Sequence, residues 1–239
     1  MLEGLVFLAL LGCLGTLVYL ALSLGRFRRH VASWAESEGY VLLPTHPLEC
    51  VRSARDALLP VAEAWGAGAA PNLFSMDWRV TLRLEGAWPT GRVALFHLTR
   101  PKVVPRHTDF ALEHRGGLLQ EQIVVLYPDA PEHILCDVRI RHRNRWTLWQ
   151  PKEALLLKIG DASVDRRLCI QAKDRRAIAW LGASPIVAAL RTLPHGASIE
   201  MAAGRLVFRQ RILWPQIGSW HRFVQGASRF SKALLGPVP

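Results

Sequence analysis

The sequence predicts an α+β protein in which a single N-terminal transmembrane helix precedes a mostly antiparallel β domain with covering helices, arranged as one or two lobes. Three features of the 239 residues support this: an uncharged N-terminal run, several segments that alternate polar and apolar residues, and a C-terminal amphipathic segment. Half of the residues are hydrophobic and the net charge is +11, which excludes an acidic disordered chain. Four cysteines are too few for a disulfide scaffold.

Residues 4–25 form an uncharged run that is rich in leucine. As a helix with a rise of about 1.5 Å per residue, the run is long enough to cross a hydrocarbon core of about 30 Å. A cleaved secretory signal is the competing interpretation, but it needs basic residues before the apolar run and a cleavage site of small residues after it. The only charge before the run is Glu3, and Arg26 follows it. The sequence therefore favours a retained transmembrane helix over residues 1–25.

The charges around this predicted span set its orientation. All 30 lysine and arginine residues lie at or after Arg26, and basic residues next to a span stay on the cytoplasmic side. We therefore expect a single-pass protein of the bacterial inner membrane, with its N-terminus outside and its C-terminal domain in the cytoplasm. The predicted anchor comprises Leu5, Phe7, Leu11, Leu17, Tyr19, Arg26, Arg28 and Arg29. Gly12 and Thr16 have the spacing that lets two helices approach closely, although a leucine-rich run commonly contains some glycine.

The chain after the predicted span begins with helices and continues with strands. Residues 26–65 are expected to form two juxtamembrane helices, the second starting at Pro47. A glycine- and alanine-rich segment at 66–72 then opens a first β-rich lobe, residues 66–150. Alternation of polar and apolar residues predicts strands at 78–84, 92–99, 122–127 and 133–143.

Residues 151–239 are predicted to form a second α+β lobe that ends in an amphipathic helix. Residues 151–158 begin it as a helical turn. A strand, a helix, a hairpin and the final helix follow, with predicted bounds of 167–172, 174–193, 197–213 and 214–235. Pro185 is placed to interrupt the first of these helices.

Several of these segments resemble a known family. The sequence LEGAWPTGRVALFHL at 84–98, the pair Gly160-Asp161 and the hairpin at 198–208 occur in that order, before a final helix. With the N-terminal run, this order resembles uncharacterised bacterial membrane-anchored proteins that are described only as domains of unknown function. The resemblance implies an architecture, one span plus an α+β cytoplasmic domain, and no activity. The chain departs from the family pattern after Gly160-Asp161, where the usual aromatic residue is missing.

The most informative surface signal is a basic strand. Arg139, Arg141, Arg143 and Arg145 occur at every second position, which places all four side chains on one face of a strand. Four like charges in a row need anions, and phosphates, lipid head groups or carboxylates of a partner would supply them. The alternative is pairing within the protein. The acidic residues considered for such pairing are Asp137, Glu132, Glu113 and Glu121.

Two further features offer contact surfaces. In the predicted final helix, Arg222 and Arg229 lie on a basic face, opposite apolar residues that either pack on the sheet or lie on an anionic leaflet. Trp146 and Trp149 follow the basic strand. Tryptophans in such a place stack on nucleobases, anchor at a membrane interface, or simply pack in the interior.

Catalytic motifs are missing from the sequence, and we expect no cofactor and no metal. An enzymatic alternative stays open at two places: the polar cluster of His107, Asp109, Glu113 and His114, and the carboxylate of Asp161, which also suits a helix cap. The sequence contains no helix-turn-helix, RNP-like or zinc-finger signature, so nucleic acid is not an expected partner.

Together these features predict a non-enzymatic, membrane-anchored accessory or scaffold subunit of a larger membrane protein complex, with the basic cytoplasmic domain as its contact surface. The expected partners are membrane lipids and other membrane protein subunits. One alternative is a binding module for an anionic lipid or a phosphate-bearing ligand, acting through the basic strand. The other is an enzyme with an unrecognised site. The sequence leaves a small-molecule ligand open.

Overall fold

A computed structural model describes residues 2–44, 47–65, 79–101, 118–130, 137–143, 154–212 and 217–236. Their strands are β1 (Val41–Leu42), β2 (Arg79–Trp88), β3 (Gly91–Pro101), β4 (Leu118–Pro128), β5 (Val138–His142), β6 (Leu155–Leu157), β7 (Leu168–Ala172), β8 (Ala197–Ala202) and β9 (Arg205–Ile212). Their helices are α1 (Leu2–Ser37), α2 (Pro47–Ala64), α3 (Ala162–Arg167), α4 (Ala177–Leu181), α5 (Ser184–Arg191) and α6 (Ile217–Leu235).

The strands form one sheet in the order β1-β2-β3-β4-β9-β8-β5-β7-β6. Every pair of neighbours is antiparallel, which agrees with the predicted α+β class. Strand β4 pairs with β9, so strands from both predicted lobes lie side by side in the same sheet.

Helices cover both faces of the sheet. One face packs inward-pointing side chains such as Leu95, Val124 and Phe208 against the last part of α1, against α5 and against α6. The other face packs Phe96 and Ile123 against α2, whose Ala57, Leu58 and Val61 are buried there. Successive residues of a strand point to opposite faces, so this three-layer arrangement requires apolar residues at consecutive positions in the central strands.

The final helix, α6, packs on the sheet, which was one of the two interpretations of its apolar face. The apolar face of α6 is buried on the sheet through Trp220, Phe223 and Phe230, and the ring of Phe230 meets that of Phe208 edge-on at 5.8 Å. The predicted helix at 174–193 is instead two short helices, α4 and α5. Pro185 lies in the first turn of α5, where a missing backbone N–H costs nothing.

Residues 155–157 differ from the prediction of a helical turn. They form β6, an edge strand that pairs with β7 through Leu155 and Leu157. The open edge of β7 offers hydrogen-bond partners to the backbone of these residues. Because strand formation depends on tertiary context, this pairing outweighs a local preference for helix.

Helix α1 divides into two parts with different surroundings. Its last third is built into the core, where Phe27, Val31 and Ala35 are buried. The ring of Phe27 lies 6.1 Å from that of Trp220 in α6 and 5.1 Å from that of His97 in β3. Large apolar side chains of the first two-thirds are exposed, among them Val6, Phe7, Leu10, Leu11, Leu14, Val18, Tyr19 and Leu22.

The prediction of a transmembrane helix is wrong. Among the residues that the structure describes, no helix is both long enough and apolar enough to cross a membrane. Arg26 was the predicted end of a separate span, but α1 continues past it without a break to Ser37 and packs its last part on the domain. Three further predictions depended on that span and are wrong as well. They are the single-pass topology, the assignment to the bacterial inner membrane and the placement of the two chain ends on opposite sides.

A buried histidine lies under α1. Nδ1 of His97 lies 2.5 Å from Oγ1 of Thr81, and Nε2 lies 3.2 Å from Oε1 of Gln120. Burial lowers the pKa of His97 to about 4, against a smaller opposing effect of the hydrogen bond to Gln120. His97 is therefore a neutral, internally satisfied part of the core at neutral pH.

We predict that His97 makes the protein less stable in mild acid. Because its folded pKa of about 4 lies below the usual value of 6.5, the unfolded chain takes up a proton first as the pH falls. This single group should lower the free energy of unfolding by about 2 kcal/mol between about pH 7.5 and about pH 5. Urea denaturation of the wild type and of His97→Gln measures the difference. Equal pH slopes for the two proteins would contradict the assignment.

We predict that Gly91→Ala is far more damaging than Gly160→Ala. Both glycines have positive φ, 142° and 87°. A Cβ on Gly91 would lie 2.2 Å from the carbonyl oxygen of Tyr127, whereas one on Gly160 meets no described atom within 4 Å. The clash with the β4 backbone should cost about 3 kcal/mol or more, and the control about 1–2 kcal/mol from its backbone conformation alone. Chemical denaturation followed by circular dichroism checks this, and similar losses would refute it.

Candidate functional site

The predicted basic strand does not lie free on the surface. Arg139 is 3% exposed, and its Nε lies 3.0 Å from Oε1 of Glu200 on β8. Arg141 donates from Nη2 to the same carboxylate oxygen at 2.7 Å. Arg143 is exposed, and its backbone N–H donates to the carbonyl of Arg167. Arg145, with Trp146 and Trp149, lies outside the described residues.

These contacts belong to a row of charges that crosses four adjacent strands under α2. We call this row the charge ladder; it comprises Glu121 of β4, Arg209 of β9, Glu200 of β8, and Arg139 and Arg141 of β5. Nε and Nη2 of Arg209 donate to the two carboxylate oxygens of Glu121 at 2.8 and 3.3 Å. Four of its five residues are buried, so their charges must be balanced within the protein.

The pKa values show how far this balance extends. Burial by itself would raise the pKa of Glu200, but the charges of Arg139, Arg209 and Arg141 outweigh it and hold the pKa below its usual value. Burial by itself would lower the pKa of Arg209, but the charges of Glu121 and Glu200 outweigh burial and raise the pKa above its usual value. Burial lowers the pKa of Arg139 to about 10, and Glu200 offsets only part of this effect. Arg139 is therefore the least compensated member of the charge ladder.

Trp65, at the end of α2, covers this least compensated arginine. The guanidinium carbon of Arg139 lies 4.5 Å from the centre of the Trp65 ring. Among the described residues, neither Nη2 of Arg139 nor Nε1 of Trp65 has a hydrogen-bond partner. A face of an aromatic ring stabilises a desolvated cation, so Trp65 supplies part of what a second carboxylate would supply.

Sequence reasoning missed Glu200, the residue that joins the ladder. Of the acidic residues it considered, Glu121 lies in the ladder and pairs with Arg209, and Asp137 pairs with Lys173 at 2.9 Å. Glu113 and Glu132 lie outside the described residues. Glu200 could be found only by knowing that β5 pairs with β8, and these two strands come from distant parts of the chain.

The other predicted contact residues lie on helices. Arg222 and Arg229 are exposed on the face of α6 that points away from the sheet. In α1, Phe7, Leu11 and Tyr19 are exposed, as are the basic residues that follow them, Arg26, Arg28 and Arg29. The side chains of Leu5 and Leu17 lie outside the described set.

Of the two places that kept an enzymatic alternative open, one is described. Asp161 caps α3: its carboxylate accepts hydrogen bonds from the backbone N–H groups of Ser163 and Val164 at 3.1 and 2.9 Å. It also pairs with Arg191 at 2.5 Å. The hydrogen bond from Arg191, followed by those from Ser163 and Val164, holds the pKa of Asp161 well below its usual value. The arrangement is a helix cap with an exposed ion pair.

The second place, residues 107–114, lies outside the described residues. Within the described ranges, no group of three or more histidine, cysteine, aspartate or glutamate side chains could hold a metal ion.

A charged cleft, which the sequence did not indicate, lies between the first half of α2 and strands β2, β3, β4 and β9. Its volume is about 440 Å³. The lining residues are Glu49, Arg52, Ser53, Asp56, Ala57, Arg83, Glu85, Arg92, Val93, Ala94, Phe96, Tyr127 and Arg205. Four arginines, Arg52, Arg83, Arg92 and Arg205, thus meet in one cleft, although they belong to four different elements of the fold.

Comparison with known proteins adds information about the fold. No protein-family model matches the chain, and no curated protein matches it. Among solved structures, the chain is similar to the mycobacterial trehalose monomycolate transport factor A, TtfA, with a TM-score of 0.51 and 15% sequence identity. The alignment covers 91% of this chain and 98% of that chain. The two proteins therefore share the architecture of helices around an antiparallel sheet along nearly their whole length.

We predict that removal of the central carboxylate of the ladder destabilises the protein strongly. In Glu200→Gln, Arg139 stays buried without its ion-pair partner, and such a loss costs about 3–5 kcal/mol. The matched control is Glu85→Gln, which breaks the more exposed pair with Arg83 and should cost less than about 1 kcal/mol. Urea denaturation at neutral pH measures both values. A loss at Glu200 no larger than the loss at Glu85 would show that the ladder is not a stabilising centre.

Proposed function

We propose that this protein is a non-enzymatic accessory or scaffold subunit of a larger assembly that serves transport. The observation that carries the proposal is the burial of α1, whose C-terminal end is packed in the domain and whose N-terminal part exposes its apolar side chains. Phe27, Val31 and Ala35 are buried in the core, whereas Leu10 and Tyr19 are 63% and 65% exposed. A continuous helix of 36 residues thus presents an apolar surface outside the domain.

The exposed residues form a regular surface. Val6, Leu10, Leu14, Val18 and Leu22 are spaced four apart, and residues at this spacing make the ridges that fit into the grooves of another helix. A Cβ at Gly15 meets no described atom within 4 Å, so this part of α1 leaves room for a close partner. Exposed apolar patches of this extent mark interaction sites. The expected partner is therefore an apolar helical surface of another subunit.

Two further observations support the proposal. The protein with the similar fold, TtfA, is named as a transport factor. The exposed Arg222 and Arg229 on α6 offer a second, polar contact area, on the helix that packs against the last part of α1.

We predict that a photo-crosslinking residue at Leu14 of the full chain captures a distinct protein partner in cells. The same residue at Arg176, whose side chain is 82% exposed on the domain, is the matched control and should give no such product. The double variant Leu10→Glu, Leu14→Glu should abolish the product, because a charged ridge cannot enter an apolar groove. Mass spectrometry of the crosslinked bands identifies the partner.

The fold of the double variant should be intact, since both side chains are exposed and surface changes shift stability by only about 0.5 kcal/mol. Unchanged circular dichroism and thermal unfolding would establish this. Three outcomes would refute the proposal: no protein product from Leu14, the same product from Arg176, or a product that survives the double substitution.

A further inference from the structure

The charged cleft under the first half of α2 has the features of a binding site, and it is separate from the exposed part of α1. Its volume of about 440 Å³ lies within the usual range of small-molecule sites. One wall is α2, which contributes Arg52 and Asp56, and the other wall is the sheet, which contributes Arg83, Arg92 and Arg205. A cleft of this size holds one small molecule.

One tyrosine ring lies against two of the arginines that line the cleft. The guanidinium carbon of Arg92 lies 4.9 Å from the centre of the Tyr127 ring, and that of Arg205 lies 5.2 Å from it. Arg205 is held further by Nη1, which donates to the backbone carbonyls of Asp56 and Ala57 at 2.7 and 2.8 Å. These cations are therefore in place before any ligand arrives, and a preorganised site loses less entropy on binding.

Donors remain in the cleft after the internal contacts are made. Nη2 of Arg83 donates to Glu85 at 2.5 Å, but its buried Nε has no hydrogen-bond partner among the described residues. Within the same described residues, Arg52 and Arg92 form no ion pair. Burial raises the pKa of Tyr127, against the opposing charges of Arg205 and Arg92. Its hydroxyl therefore stays protonated and able to donate at neutral pH.

The acidic residues define the rest of the ligand. Glu49 and Asp56 are exposed on the α2 side of the cleft, where their carboxylates accept hydrogen bonds from hydroxyl groups. The apolar side chains of Ala94 and Phe96 also line the cleft and suit a carbon skeleton. Arginines bind the oxygens of a phosphate in pairs of hydrogen bonds. We propose that this cleft binds a small organic phosphate that carries hydroxyl groups, either free or as a lipid head group.

The test is binding of sn-glycerol 3-phosphate to the full chain, measured by isothermal titration calorimetry. We expect saturable binding at the cleft that weakens as salt is added, because the contacts are ionic. Arg92→Gln should weaken it about tenfold, since one charge-assisted contact is lost. The matched control is Arg211→Gln, an exposed arginine of β9 outside the cleft lining, which should bind like the wild type. Thermal unfolding should show that both variants are folded.

A second arm distinguishes the two sources of the phosphate. Flotation with vesicles of phosphatidylcholine alone or mixed with phosphatidylglycerol tests the head group in a lipid surface. Loss of flotation in Arg92→Gln but not in Arg211→Gln would assign the site to a lipid, and calorimetric binding without flotation would assign it to a free phosphate. No binding of either probe, or equal binding by Arg92→Gln and the wild type, would overturn the proposal. Neither result bears on the crosslinking test of α1.

Discussion

The structure depends on the neutralisation of buried charge in the middle of the sheet. The charge ladder places alternating charges on β4, β9, β8 and β5, which are adjacent in the sheet although β4 and β5 come from residues 118–142 and β8 and β9 from residues 197–212. A slip of one residue in any of these strands would move its charged side chain to the other face of the sheet. That other face is lined by apolar residues around Ile140 and Phe208, so the ladder fixes the register of the central strands. It also determines which arginines remain for other contacts.

The two faces of the sheet serve different purposes as a result. The face without the ladder is apolar and holds the last part of α1 against α6, which fixes the direction in which the exposed part of α1 leaves the domain. The face with the ladder is covered by α2. Trp65 lies over Arg139 at one end of this helix, and Arg205 binds the backbone carbonyls of Asp56 and Ala57 near its middle. The charged cleft is the space that remains between α2 and the sheet beside that attachment.

Much of the fold can be predicted from the sequence because the signals are local. The alternation before and after the turn at 88–91 predicts β2 and β3, and the amphipathic pattern of the C-terminal segment predicts α6, with packing on the sheet as one of its two interpretations. Pro185 predicts the break between α4 and α5. The candidate sites cannot be predicted in this way. Recognition of the charge ladder requires that β8 lies next to β5, and recognition of the cleft requires that α2 lies across β2, β3, β4 and β9.

Local residue patterns are enough to predict the secondary structure of most described segments, the antiparallel class and an apolar helix at the N-terminus. These properties depend on periodicity and turn residues within about ten positions of each other. The positions of the charges and of the apolar helix depend instead on how the elements pack together. Arg141 meets Glu200 across 59 positions, and α1 passes Arg26 without interruption because the core receives Phe27 and Val31. An interaction between distant residues leaves no pattern in either local segment. The partners of these charged and apolar side chains can therefore be assigned only when the order of the strands is known.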